Sequence, residues 1–171
     1  MQFEWSNTGS LGALMKLFSS IIVSICLMSC ASSKKAHVTM DKYNKDASEI
    51  IKLAKSNADK ELVKKKALDL IETATTLLRE YKTENPECNT MLNFMIESRK
   101  EMTKLSLEKI EKDFHEGEAL PAAPDKCYEP KELIIHPATV VILTNVKYNE
   151  EGRHQIVEEL EEVIAHTEVI E

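Results

Sequence analysis

The sequence predicts a mainly α-helical fold, a small irregular helical bundle that begins with a long N-terminal helical hairpin. Apolar residues recur at helical spacing between Tyr43 and Tyr81, with Lys and Glu on the opposite face. The stretch from Ala31 to Asn85 contains neither Pro nor Gly, so no strong helix breaker interrupts it. No two segments have the pattern of partner strands, which leaves a helical bundle as the predicted architecture.

The composition is typical of one small domain rather than a large enzyme or a multi-span membrane protein. The 171 residues include 22 Lys and Arg against 29 Asp and Glu, and the net charge of −7 argues against nucleic-acid binding. Charge is unevenly spread, with ten Lys and five acidic residues from Cys30 to Lys66, but eight acidic residues and Arg153 from Tyr148 to Glu171. An ordinary solvated helix face is the default interpretation, and the alternative is that the basic end rests on anionic lipid while the acidic end projects away.

An uncharged run of twelve residues, Leu17 to Met28, follows Lys16 near the start of the chain. A transmembrane helix needs about 20 apolar residues, whereas a basic residue before a shorter apolar run is typical of an export signal. The residues that end this run, Leu27-Met28-Ser29-Cys30, resemble the lipobox of bacterial lipoproteins. The resemblance implies that Cys30 is diacylated, becomes the new N-terminus and anchors the chain to a membrane.

This resemblance divides the chain into three parts. Residues 1–29 are expected to be a signal peptide, with translation starting at Met15, residues 30–40 a lipid-attached tether, and residues 41–171 a single helical domain. An ordinary secretory signal or an uncleaved anchor is the alternative. Because no Asp follows Cys30, the resemblance implies the periplasmic face of the outer membrane, or the outer face of the cell membrane in a Gram-positive cell.

The positions of Pro and Gly in the sequence predict two long helices after the tether. The first is expected to reach Asn85, where Asn85-Pro86-Glu87 is typical of an N-cap followed by Pro at the first helical position. The second is expected to end at Gly117 and to form an antiparallel hairpin with the first. The linker from Glu118 to Pro130 contains three prolines and should be extended.

The last third of the chain is expected to be helical as well. Glu132 to Asn145 is apolar and β-branched, so a strand competes with a helix kinked at Pro137. We favour the helix, because an isolated strand would have no partner. Gly152 to His166 then forms an amphipathic helix with its apolar positions on one face.

Two cysteines are expected to form a disulfide. Cys26 leaves with the signal and Cys30 takes the lipid, which leaves Cys88 and Cys127 in an oxidising compartment. A helix from Cys88 to Glu116 would be roughly 42 Å long, and the eleven residues back to Cys127 reach at most about 40 Å. The bond therefore requires a linker that returns along the helix, or a shorter helix.

Four of the five histidines have a Glu four residues upstream, which on a helix places both side chains on one face. The pairs are Glu111 with His115, Glu132 with His136, Glu150 with His154, and Glu162 with His166. Such pairs can hydrogen-bond or bind Cu or Zn, but a metal site needs three or four converging ligands, which spacing alone does not predict. Solvated pairs are the default interpretation, and a buried structural role is expected for His136 in its apolar stretch.

The remaining candidates favour a protein without catalytic activity. Met91, Met95 and Met102 lie on one side of the second helix and are expected to be core residues rather than Cu(I) ligands. The sequence has no Walker loop, G-x-S-x-G or H-E-x-x-H motif, so no enzyme activity is expected.

The predicted function is a non-catalytic binding or envelope-structural module that is tethered by lipid, with an envelope protein as its partner. The alternative is a periplasmic metal-binding protein that uses the Glu/His pairs. An enzyme whose site is assembled from scattered Glu and His is a third, weaker hypothesis.

Overall fold

The computed structural model describes residues 39–170, and within this range the chain forms six helices. They are α1 (39–55), α2 (Lys60–Glu84), α3 (Asn89–Met102), α4 (Leu107–Ile110), α5 (Glu129–Val146) and α6 (Glu150–Ile170). Short 3-10 turns precede α3 and α5, and a π-helical turn, Glu111–His115, continues α4. No strand occurs in residues 39–170, so the predicted mainly α-helical bundle is confirmed. Met15, Cys26, Cys30, the signal peptide and most of the tether lie outside the described residues.

The central helix of the bundle is α5, against which α2, α3 and α6 pack. Every residue from Pro130 to Thr144 is buried, because this helix is apolar on all sides and has no polar face to turn toward solvent. The prediction of a helix rather than a strand in this segment is confirmed. Within residues 39–170, no helix combines the length and the apolar character that a membrane span requires.

Pro137 lies inside α5, and its neighbours show how a proline is accommodated there. Proline has no N–H, so the carbonyl of Leu133, four residues earlier, loses its helical partner. The hydroxyl of the fully buried Tyr43 donates a hydrogen bond of 2.9 Å to this carbonyl oxygen. A side chain of α1 therefore replaces the bond that Pro137 removes, so the carbonyl of Leu133 keeps a partner.

The prediction of one long first helix is wrong, because α1 ends at residue 55 and α2 begins at Lys60. Asn57 adopts a positive φ of 55° between them. The carboxylate of Asp59 then accepts hydrogen bonds from two backbone N–H groups in the first turn of α2. Asn tolerates the left-handed conformation and Asp is a strong N-cap, so the two residues interrupt the helix without any Pro or Gly.

The predicted second helix is divided in the same way. α3 ends at Met102, and the hydroxyl of Ser106 accepts a hydrogen bond from the backbone of Lys109 to start α4. The π-helical turn that follows ends before Gly117, whose φ of 87° takes the chain out of helical conformation. The predicted end of this segment at Gly117 is therefore correct, although its interior is not one helix.

The predicted N-terminal hairpin is formed by α2 and α3. Near one end of the pair, Arg99 forms an ion pair of 3.0 Å with Glu72. Near the other end, Lys82 donates a hydrogen bond to Asn93. The residue numbers rise along α2 as they fall along α3, so the two helices are antiparallel.

Cys88 and Cys127 form the predicted disulfide, with their Cα atoms 5.4 Å apart and both residues fully buried. The helix that follows Cys88 ends at Met102, so it is shorter than the helix predicted to reach Glu116. The chain therefore turns back sooner, and Cys127 can reach Cys88. The bond ties the start of α3 to the turn that precedes α5. Met91, Met95 and Met102 are fully buried in the same core, as predicted.

The helices α1 and α6 lie side by side and antiparallel. Asn44, near the start of α1, is 3.0 Å from the hydroxyl of Thr167 near the end of α6. Lys55, at the end of α1, forms an ion pair of 3.0 Å with Glu161. The expectation that the basic and acidic segments occupy opposite ends is therefore wrong for these two helices, whose charges partly compensate each other.

The start of α6 depends on a close turn after α5. The side chain of Asn149 accepts a hydrogen bond of 2.9 Å from the backbone of Gly152. A Cβ atom at Gly152 would lie only 1.5 Å from the carbonyl oxygen of Lys147. Glycine is therefore required at this position, and it lets α6 begin close enough to pack along the whole of α5.

Candidate metal centre

Three of the four histidines with an upstream Glu meet against α5. His115 comes from the π-helical turn, His136 from the middle of α5 and His166 from the last turns of α6. The ring centroid of His136 lies 5.6 Å from that of His115 and 5.5 Å from that of His166. His136 is therefore the central member of a row of three imidazoles.

The π-helical turn brings His115 to this row. Its wider winding is shown by the backbone hydrogen bond of 2.8 Å from Glu116 to Glu111, five residues earlier. The buried ammonium group of Lys131, on α5, donates a hydrogen bond of 2.8 Å to the carbonyl oxygen of His115. The end of the turn is thus held against α5, and its last side chain points into the cluster.

His136 has the geometry of a metal ligand that is already oriented. Only 2% of the residue is exposed, and its Nδ1 lies 2.9 Å from a carboxylate oxygen of Glu159 on α6. An ionised carboxylate can only accept, so in the neutral imidazole Nδ1 carries the hydrogen and Nε2 presents a lone pair. This Nε2 is buried and has no hydrogen-bond partner. A carboxylate that fixes the far nitrogen of an imidazole is the usual outer partner of a metal-bound histidine.

His166 repeats this arrangement closer to the surface. Its Nδ1 lies 2.8 Å from a carboxylate oxygen of Glu129 at the start of α5. Its Nε2 lies 4.0 Å from a carboxylate oxygen of Glu162, one turn earlier on α6. One ligand atom from each of His136, Glu162 and His166 can be chosen so that all three lie within 4.8 Å of one another. We call these three residues the metal triad.

His115, Glu132 and His136 also bring ligand atoms within 4.8 Å of one another, but the carboxylate of Glu132 already has partners. One of its oxygens is 3.0 Å from Nδ1 of His115, and the other accepts a hydrogen bond from Lys131. The Glu132 hydrogen bond raises the pKa of His115. Burial alone would raise the pKa of Glu132, but the hydrogen bonds from His115 and Lys131 hold it below its ordinary value. This second group is therefore a charge-compensated ion network.

The raised pKa of His115 predicts a pH dependence of stability in the metal-free protein. The His115 contribution is complete below the unfolded-state pKa of about 6.5 and is lost as the pH rises through the higher folded-state pKa. We therefore expect the free energy of unfolding to fall above about pH 6.5 more steeply in the wild type than in a His115→Gln variant. Urea unfolding in the presence of a chelator, at a series of pH values, measures this difference. Parallel pH profiles for the two proteins would contradict it.

The other residues selected from the sequence lie outside the triad. The side chain of His154 is 73% exposed and pairs with Glu158 rather than with Glu150, at 3.2 Å, as expected for a solvated pair. Glu111 is in the same turn as His115 and acts on it only through charge attraction.

Sequence reasoning did not find three residues that contact the histidines, namely the outer partners Glu129 and Glu159 and the buried Lys131. Each acts on a histidine of a different helix or turn, so no sequence spacing marks it.

The charges around the row of imidazoles favour a cation. Four carboxylates come within 4.0 Å of an imidazole nitrogen of this row, those of Glu129, Glu132, Glu159 and Glu162, and the ammonium group of Lys131 pairs with one of them. Four negative charges less one positive charge leave a local charge of −3 when the imidazoles are neutral. Such a field attracts cations, and two imidazoles with one carboxylate suit Zn²⁺, Cu²⁺ and related transition-metal ions.

No protein-family model matches the chain, and no curated protein or solved structure is significantly similar to it.

Proposed function

We propose that this chain is a lipid-anchored envelope protein that binds a transition-metal ion, Zn²⁺ first among them, through His136, His166 and Glu162. The observation that carries the proposal is the buried Nε2 of His136, which has no hydrogen-bond partner although its Nδ1 is held by Glu159. A buried nitrogen with a free lone pair is costly unless it gains a ligand. A metal ion supplies that ligand.

The rest of the triad supports the same function. Both imidazoles have a carboxylate on Nδ1, at 2.9 and 2.8 Å, so both would present Nε2 to a common ion. Zinc ligand distances are about 2.0 to 2.2 Å, so side-chain adjustments of roughly an ångström would complete the site. Glu162 has the most room for such an adjustment, because its side chain is 56% exposed.

The proposed location is supported by two features of the chain. Leu27-Met28-Ser29-Cys30 resembles a lipobox, and a disulfide such as Cys88–Cys127 is typical of exported proteins.

Zinc binding by the full chain, purified in detergent and freed of metal with a chelator, tests the proposal. We expect one zinc ion per chain and a stabilisation of about 2.7 kcal/mol when free zinc is a hundred times its Kd. His136→Ala and His166→Ala should each abolish most of this gain. His154→Ala is the matched control, because this exposed histidine of α6 lies outside the triad and should leave the gain unchanged.

An ion-pair network without metal is the competing interpretation of the same residues. In that case zinc would leave the thermal unfolding midpoint unchanged, or the triad variants and His154→Ala would respond alike. Either result would refute the proposed function. Because His166 is partly exposed, its variant is the safer one if His136→Ala does not fold.

A further inference from the structure

We infer that the ion in the metal triad keeps one coordination position open to solvent, where water can be exchanged for a donor atom of another molecule. This inference rests on the proposed function. The donor is of a simple class: a small anion, or the imidazole of a histidine on a partner protein.

The number of available donors leads to this inference. His136, Glu162 and His166 supply three ligand atoms, one fewer than the four that closed structural zinc sites use. The carboxylates of Glu129 and Glu159 are engaged at the Nδ1 atoms of the two histidines and point at the wrong side of each ring to reach the ion.

Glu132 is the residue that could close the site from inside. One of its oxygens is 3.7 Å from Nε2 of His136. That same oxygen accepts a hydrogen bond from His115, and the other accepts one from Lys131. To reach a ligand distance of about 2.0 to 2.2 Å, the carboxylate would have to shift from the position in which His115 and Lys131 hold it, and disturbing a buried pair is unfavourable. Its two partners therefore keep it out of the coordination sphere.

The exposure of the ligands shows which side is open. The side chain of His136 is 3% exposed, that of His166 is 25% exposed and that of Glu162 is 56% exposed. The ion would thus have α5 behind it and solvent in front of it. A position on the solvent side is within reach of a small molecule or of a side chain on a docked protein.

An open position separates two kinds of metal site. Structural sites surround the ion with four protein ligands, whereas sites with three protein ligands hold an exchangeable water. The structure assigns this triad to the second kind. The ion would then be a reactive or transferable group, which a partner could receive by donating a ligand of its own.

Cobalt replaces zinc in such sites and its visible spectrum reports the coordination sphere, so the test uses the full chain loaded with Co²⁺. We expect azide, and separately imidazole, to change the spectrum in a saturable way while Co²⁺ stays bound after gel filtration. His154→Ala should behave like the wild type. A second preparation carrying Glu132→Gln removes the buried carboxylate that lies 3.7 Å from Nε2 of His136.

The outcomes distinguish the inference from the function on which it rests. If no Co²⁺ spectrum forms and no metal is retained, the proposed function fails. If Co²⁺ is retained but neither azide nor imidazole alters the spectrum, metal binding stands and the open position is refuted. A response that appears only in Glu132→Gln would also refute it, because Glu132 would then be the fourth ligand.

Discussion

Removing the Cys88–Cys127 disulfide is expected to lower the free energy of unfolding by about 4 kcal/mol. The bond closes a loop across a sequence separation of 39, and its loss frees that loop in the unfolded chain. Both cysteines are fully buried, so the reduced protein gains no compensating solvation in the folded state. Urea unfolding of a Cys88→Ala, Cys127→Ala double variant, compared with the oxidised wild type, measures the difference.

A reducing agent provides the control for this prediction. Dithiothreitol should lower the stability of the wild type toward that of the double variant, and it should leave the double variant unchanged. Equal stability of the oxidised and reduced wild type would contradict the predicted role of the bond. Because the disulfide adjoins the start of α5, its loss should also weaken zinc binding by the metal triad.

The same disulfide shows how far sequence reasoning reaches in this protein. The pairing of Cys88 with Cys127 followed from elimination, but the straight second helix made the reach marginal. The missing element was the break between Met102 and Ser106, where a serine caps a new helix. Capping by Ser106 and Asp59 depends on short side chains whose effect is local and modest. Counting Pro and Gly alone therefore overestimates helix length.

The prediction of α5 succeeded for a different reason. A continuous apolar segment needs burial on all sides, and with no partner strand available a central helix is the solution that satisfies its backbone. The bond from Tyr43 that compensates Pro137 could not be foreseen, because it joins residues 90 positions apart. Such long-range bonds depend on how two helices are rotated against each other.

The candidate site shows the same limit. The spacing of four residues identified His136 and His166 together with Glu132 and Glu162, but it assigned each imidazole to a Glu on its own helix. The shortest contacts of these histidines are made with Glu159 and Glu129 on neighbouring helices instead. Local periodicity identifies residues that share a face, whereas convergence of several faces is a property of packing.

Replacing Lys131 by Met is expected to destabilise the protein by about 3 to 5 kcal/mol at neutral pH. Only 3% of Lys131 is exposed, and its ammonium group donates hydrogen bonds to Glu132 and to the carbonyl oxygen of His115. Met preserves the length of the side chain but leaves a buried carboxylate with one partner fewer and a carbonyl without its donor. Chemical unfolding of the metal-free protein measures the loss.

Two further variants separate the charge effect from a packing effect. Lys104→Met is the surface control, because the side chain of Lys104 is 66% exposed in its pair with Glu101 and its loss should change stability by less than about 1 kcal/mol. Adding Glu132→Gln to Lys131→Met should restore part of the stability, since it removes the uncompensated charge. If Lys131→Met lowered the free energy of unfolding no more than Lys104→Met does, the buried Lys131–Glu132 pair would not contribute to stability.

Lys131 also links the stability of the bundle to the chemistry of the metal triad. Without the Lys131 ammonium group, Glu132 retains the hydrogen bond to His115, and one of its oxygens is already 3.7 Å from Nε2 of His136. A bound cation then becomes the strongest available partner for the freed carboxylate. Zinc should therefore stabilise Lys131→Met more than it stabilises the wild type, and the cobalt form of this variant should lose its response to azide. A variant that unfolds more easily yet keeps the wild-type response would show that Lys131 supports the fold without controlling the fourth ligand.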